Sequence, residues 1–293
     1  MKTFRHRFFR RHFYQLALAI GLFTAVVPLK VWADTASARA AMENPTNPLL
    51  LVATSRGPIY LELFPQEAPI NVANIQALIE GEVEIVDFEN RQIFTPRFYD
   101  GMRFHRVIPE LLIQTGSPYR NVFGSPQENL PDEINANSLG LDRIPVVMPD
   151  GSFNSLLQLT DRSILEQKLL IPLYRAMGIN TKEEIELQQF EINDRLRSMT
   201  VKQAYENLGY DYTERFPTRA ISRGTVAMAN TGPATNGTEF FISVSELDWL
   251  NGRYTVIGHV VEGMEAVDQI SRVPVDTLES PTSGTLIYSI RQL

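Results

Sequence analysis

Two well-separated stretches set the terms for any fold this chain can adopt. The first runs Phe104-His105-Arg106-Val107-Ile108-Pro109-Glu110-Leu111-Leu112-Ile113-Gln114-Thr115-Gly116. The second runs Gly224-Thr225-Val226-Ala227-Met228-Ala229-Asn230-Thr231-Gly232-Pro233 and resumes at Asn236-Gly237-Thr238-Glu239-Phe240-Phe241-Ile242. Both are apolar and rich in strand-forming residues, yet each carries polar side chains that core packing does not require. Arg106 lies between Phe104 and Val107-Ile108, and Gln114 closes Leu111-Leu112-Ile113. Arginine and glutamine are seldom buried without partners, so in a strand they point to a wet face or serve a site. Successive strand residues face opposite sides. His105 therefore falls on the face away from Arg106 and Phe240 on the face away from Phe241, both expected as structural residues.

Composition removes several kinds of chemistry. The chain has 293 residues and no cysteine, which excludes disulfides, a thiol nucleophile and a cysteine metal site. Of its 4 histidines, His6 and His12 lie near the N-terminus, leaving His105 and His259. Two histidines are too few for a histidine-rich metal centre; a carboxylate site stays open, but no metal or cofactor is expected. Residues 1–33 combine a basic run to Arg11, an apolar run from Leu16 to Leu29, and Val31-Trp32-Ala33 before Asp34. That is the layout of an export signal cleaved after Ala33. The apolar run is shorter than the ~20 residues that span a bilayer and contains Pro28. An exported, periplasmic protein with no stable membrane insertion after cleavage is expected. Arg10-Arg11-His12-Phe13 also has the look of a twin-arginine signal, so the export route stays open. Once Lys2, Arg5, Arg7, Arg10, Arg11 and Lys30 leave with the signal, 21 basic residues face 34 acidic ones, a net charge of −13. A surface that acidic repels nucleic acid and anionic lipid.

Local patterns lay out the rest. Residues 34–48, small and polar with Pro45 and Pro48, read as a flexible lead-in. Leu49 to Thr54 and Ile59 to Leu63 read as two strands around Arg56-Gly57-Pro58. Val72, Ile75, Leu78 and Ile79 recur at helical spacing, with Gly81 as the stop. Residues 82–96 read as an acidic, irregular connector, and Tyr99-Asp100-Gly101 as a tight turn. Residues 142–216 read as an α-helical insertion. Asp161 to Met177 is apolar at Ile164, Leu165, Leu169 and Tyr174, with Gly178 beyond it and Pro172 inside it as a kink. Thr181 with Glu184, and Thr200 with Gln203, have capping-box spacing, and Gly209 ends the last segment. Beyond Asp248-Trp249-Leu250-Asn251-Gly252 come a strand to Val260, a helix over Gly263 to Ile270, and a closing strand over Leu286 to Ile290. The insertion reads as a packing elaboration, a lid or a partner-binding arm.

The two stretches together, followed by Phe240-Phe241 and Trp249-Leu250, resemble the signature of cyclophilin-type peptidyl-prolyl cis-trans isomerases. The resemblance covers residues 49–141 and 217–293. It implies a mainly β fold, a closed antiparallel eight-stranded barrel capped by two helices, with the insertion projecting from one rim. It also implies an enzyme that turns X-Pro bonds in proline-containing polypeptides. By the same resemblance Arg106 is the catalytic arginine. Leu111, Leu112, Phe241 and Leu250 form an apolar floor for the proline ring, Gln114 holds the substrate backbone, Ala229 and Asn230 line the peptide strip, and Trp249 edges the groove. Three positions depart from the usual pattern. Leu111-Leu112 replaces Phe-Met, Glu239 replaces Gln, and Tyr254 replaces His. Glu239 is expected at the site as a carboxylate able to pair with Arg106 and compete with substrate. The alternative is a catalytically weak proline-peptide-binding or chaperone module of the cell envelope.

Overall fold

The computed structural model describes residues 33–86, 92–117, 129–273 and 284–293. The export signal expected over residues 1–33 lies outside them except for Ala33. Among the described residues no helix is long and apolar enough to cross a membrane.

The expected hairpin is present as β1 (Leu49–Thr54) and β2 (Gly57–Leu63), paired antiparallel from Leu49↔Glu62 to Thr54↔Gly57. The first polar-marked stretch is itself a hairpin, β5 (Arg106–Ile108) with β6 (Leu112–Thr115), turned at Glu110 with φ 64. The second forms β7 (Thr225–Met228) and β8 (Phe240–Ser243). With β9 (Val256–Glu262) and β10 (Ile287–Gln292) they make one antiparallel sheet in the order β10-β1-β2-β9-β7-β8-β6-β5. The sheet is not the closed barrel expected. It curls into an open half-barrel whose edges are β10 and β5. Between those edges lie the bridge Arg103↔Leu286 and bonds such as Ile287 N–H to Met102 O at 2.7 Å, all before β5 begins. A few bonds between irregular segments do not make the continuous ladder that closure requires.

Period-2 alternation divides the sheet residues between two cores. Ile113, Val226, Met228, Phe240 and Ile242 join the inner core with Val52, Ile59 and Leu61. Their neighbours Leu112, Ala227 and Phe241 belong to a second cluster with Leu247, Leu250 and Val256. Two helices bury their apolar faces in the inner core. The first, α2 (Pro69–Glu80), buries Val72, Ile75, Leu78 and Ile79 and ends at Gly81, φ 76. The other, α8 (Met264–Ser271), buries Ala266, Val267 and Ile270. Part of the connector before Pro96 is more regular than expected: β3 (Ile85–Val86) pairs with β4 (Ile93–Phe94).

The lead-in is also more ordered than its composition suggests. Thr35–Ala41 form helix α1, capped by the Asp34 side chain, and Ala38 packs with Leu49 and Tyr60. The anchor is Glu62, fully buried in β2. Its carboxylate accepts from Glu43 N–H at 2.8 Å, Asn44 N–H at 2.9 Å and Asn47 Nδ2 at 2.8 Å, and lies 3.0 Å from His259 Nε2. Burial disfavours the charged form, but these partners outweigh it and hold the pKa below the ordinary glutamate value. A depressed carboxylate pKa stabilises the fold above the unfolded-state value, and that contribution is lost as pH falls through the folded value. Glu62→Gln should therefore cost about 1–3 kcal/mol at pH 7, where the carboxylate's bonds are intact. The gap from wild type should shrink as pH drops below the ordinary glutamate range. Denaturant unfolding at pH 7 and pH 3 reads both; a gap independent of pH would contradict this role.

Five helices occupy the segment expected to be helical. Arg162–Leu165 (α3) and Ile171–Ala176 (α4) flank a π-helical turn, Glu166–Leu170. The irregularity expected at Pro172 takes this form. A proline clashes with the carbonyl four residues back in a regular helix, and a widened turn accommodates it. Then follow α5 (Lys182–Leu187), α6 (Gln189–Ser198) and α7 (Val201–Asn207), with both capping boxes formed at Thr181/Glu184 and Thr200/Gln203. They enclose a core of their own that includes Leu141, Leu157, Leu169, Leu173, Ile192, Val201 and Tyr205. The described residues from Ala33 to Leu293 nonetheless form one compact unit.

Candidate active site

The β5–β6 register sets Arg106 directly opposite Gln114, and Gln114 opposite Phe241 on β8. Residues opposite one another project to the same face. Arg106, exposed at the sheet edge, therefore stands beside an apolar surface and donates from Nη1 to Gln114 Oε1 at 2.9 Å. A cavity of about 380 Å³ opens there. Its walls include Arg106, Leu111, Leu112, Gln114, Ala229, Asn230, Phe241, Trp249, Leu250 and Tyr254. Leu112, Phe241 and Leu250 are buried, and the Phe241 ring meets Tyr254 edge-on with centroids 5.6 Å apart.

Asn230 is held at the wall by Nδ2 bonds to Arg253 O at 2.9 Å and Asn236 Oδ1 at 3.2 Å. Asn236 is itself buried and donates to Pro131 O at 3.0 Å. Trp249 is half-buried in the middle of a 3-10 turn, Asp248–Leu250. Ile108, Thr231 and Leu247 also line the cavity and were not singled out from the sequence. Ile108 could have been, since it stands two residues from Arg106 in one strand and shares its face.

Glu239 is placed differently from expectation. It does not line the cavity and forms no pair with Arg106; it sits behind Gln114, whose Nε2 donates to its Oε2. His105 Nε2 lies 3.3 Å from the same oxygen, so the largely buried His105 is the partner of Glu239. Burial alone would raise the Glu239 pKa, but bonds from His105, Gln114 and Ser117 and the adjacent imidazole bring it below the ordinary value. The ionised carboxylate only accepts. It therefore draws the Gln114 NH₂ toward itself and leaves Oε1 facing Arg106. The backbone beneath is fixed by a close approach at Gly116, φ 85. A Cβ there would lie 2.3 Å from Thr238 O, so no larger residue fits without displacing backbone. Thr238 Oγ1 also donates to Gly116 O at 2.7 Å, and the buried Tyr99 Oη donates to Thr238 O at 2.8 Å.

Comparison with known proteins finds similarity over most of the chain. A family model, cyclophilin type peptidyl-prolyl cis-trans isomerase/CLD, matches residues 49–292. Peptidyl-prolyl cis-trans isomerase B of Streptomyces anulatus is 27% identical over 240 residues, 81% of this chain and 91% of that one. Peptidyl-prolyl cis-trans isomerase A of Mycobacterium tuberculosis is 26% identical over 239 residues, covering 81% and 87%. A crystal structure of a Cryptosporidium parvum cyclophilin type peptidyl-prolyl cis-trans isomerase shares 19% identity at a TM-score of 0.45, covering 84% of this chain and 98% of that one. With the family model spanning the sheet, the cavity and the helical segment alike, this chain belongs to the cyclophilin-type peptidyl-prolyl cis-trans isomerase family.

Proposed function

We propose that the cavity binds an extended proline-containing segment and that Arg106 lowers the barrier to rotation about its X-Pro bond. One observation carries the reading: a single cavity presents the Arg106 guanidinium beside an apolar floor of Leu112, Phe241 and Leu250. Rotation is slow because it must break amide resonance, a barrier of ~18–20 kcal/mol. Neither a nucleophile nor a metal is needed to lower it. As resonance is lost, the prolyl nitrogen becomes pyramidal and more basic. A fixed cation beside it then favours the twisted amide over the planar one. Arginine suits the task because its donors sit in a rigid, charged fork. Gln114 aligns that fork and offers the peptide backbone the one N–H that Glu239 does not take, Ala229 and Asn230 flank the peptide, and Trp249 with Tyr254 bounds the slot. The weak-binder alternative drew part of its support from a carboxylate competing for Arg106. Glu239 turns away from Arg106, and that support is gone.

The leader pattern supports action outside the cytoplasm, on proteins folding in the envelope of a bacterial cell. One preparation tests both parts. Protein recovered from the periplasm of producing cells should begin at Asp34, and it should accelerate cis–trans exchange of an Ala-Ala-Pro-Phe peptide in exchange spectroscopy. Peptide binding without faster exchange would favour a binding module. Retention of residues 1–33 in the cytoplasm would overturn the export assignment.

A further inference from the structure

Trp249, Leu250 and Tyr254 reach the cavity from one short turn with little regular structure of its own. Beyond the 3-10 turn Asp248–Leu250, residues 251–255 belong to no strand. Such segments are mobile unless something holds them. This one is held from behind by the helical segment. Tyr212 Oη donates to Gly252 O at 2.8 Å. The Tyr205 ring lies under the Arg253 guanidinium, with Cζ 5.7 Å from its centroid. Gly252, φ 80, backs so closely onto the helical core that a Cβ there would lie 2.4 Å from Leu141 Cδ1 and 3.4 Å from the Tyr205 ring. The turn Ser155–Leu157 packs against Asp248–Leu250.

Arg253 passes these contacts on to the groove. Its Nη2 donates to Trp249 O at 2.5 Å, and its own carbonyl accepts from Asn230 Nδ2 at 2.9 Å. The two sides of the cavity, Trp249 and Asn230, are thus tied to one residue that rests on Tyr205. Leu141 and Tyr205 are buried in the helical core, and Tyr210 and Tyr212 stack beside them with rings 6.3 Å apart and 9° from parallel. None of Leu141, Tyr205 and Tyr212 lines the cavity, so they do not form a lid over bound peptide.

We infer that the helical segment is a buttress for the groove rim, and that Tyr212 and Tyr205 are positioning residues that set peptide affinity by holding Trp249 and Tyr254 in place around the floor. The inference rests on the cavity being the peptide site. A rim already in its bound position spares the ordering cost that a free turn would pay on binding. Burial pushes the Tyr212 phenol well above its ordinary range, which keeps the hydroxyl protonated and able to donate to Gly252 O. The contacts act on the rim and not on Arg106. They should therefore change affinity and leave the rate on bound peptide alone.

The test uses the full chain with Trp32→Phe throughout, which leaves Trp249 as the sole tryptophan. Adding Tyr212→Phe removes only the hydroxyl that holds Gly252. Its Kd for Ala-Ala-Pro-Phe should rise about threefold to tenfold, the size of one hydrogen bond's net contribution, with exchange at saturating peptide within about twofold of wild type. Acrylamide quenching of Trp249 without peptide should also increase. Thr181→Ala, which removes a cap bond made only within the first turn of α5, should lower Tm and leave Kd and quenching unchanged. The buttress is overturned if Tyr212→Phe leaves both Kd and quenching at wild-type values, or if Thr181→Ala moves them equally. If the parent chain binds no peptide, the isomerase reading fails, and the quenching comparison still decides whether the helices hold the rim.

Discussion

Arg106→Ala is expected to lower kcat/KM on an X-Pro peptide by about a hundredfold to a thousandfold. That is the usual cost of removing one preorganised donor at a developing charge, about 2.7–4 kcal/mol, at about 1.36 kcal/mol for each factor of ten. The fold should not change. Arg106 is exposed at the edge of the sheet, and its bond to Gln114 Oε1 is replaceable by water. Truncation opens no core cavity and buries no unpaired group. Thermal unfolding of the variant should fall within about half a kcal/mol of wild type, as for surface substitutions elsewhere. A variant that loses activity together with its fold would place Arg106 in the structure and not in the chemistry.

Phe241→Ala should show the opposite balance, with stability taking the largest loss. Its side chain is 2% exposed and packs with Phe64, Leu112, Leu247, Leu250 and Val256. Removing a buried phenylalanine costs about 3–5 kcal/mol, because transfer energy and the residual cavity add. The same ring forms the cavity floor and supports Tyr254 edge-on at 5.6 Å, so peptide affinity should fall as well. Phe241→Leu keeps most of the volume and should recover most of the stability, with less of the binding. Denaturant unfolding and peptide titration on both variants distinguish these effects. A small stability loss in Phe241→Ala would mean that the second core collapses around the gap and that the floor is not rigid.

What the sequence made legible was local. Alternation in Phe240-Phe241 separated an inner-core ring from a cavity ring because side-chain direction in a strand has a period of two. The capping boxes at Thr181 and Thr200 marked helix starts because both partners lie within one turn. The residues expected at the cavity, Glu239 apart, gather there; the β5–β6 hairpin that places Arg106 and Gln114 is a local pairing, whereas β8 meets β6 from beyond the helical segment and was joined to it only through the family resemblance. Features made by distant pairs were hidden. The N-terminus of α2 lacks a local side-chain cap and is satisfied by Glu133, which lies far along the chain and accepts from Ile70 N–H at 2.9 Å and Asn71 N–H at 2.8 Å. Glu62 orders the lead-in by collecting donors brought to it only in the fold. Glu239 looked like a competitor for Arg106 because sequence spacing does not say that His105 and Gln114 reach it first. The open sheet depends in the same way on how β5 and β10, far apart in sequence, lie at its two edges.

The most direct test of the central claim separates binding from rotation at one residue. In a single titration, NMR line shapes give peptide affinity and exchange spectroscopy gives the cis–trans rate on bound peptide, for wild type and Arg106→Ala. If the guanidinium favours the twisted amide over the planar one, affinity should stay within about threefold while the bound-state rate falls about a hundredfold or more. A bound-state rate that survives the substitution, or affinity and rate falling by the same factor, would contradict it.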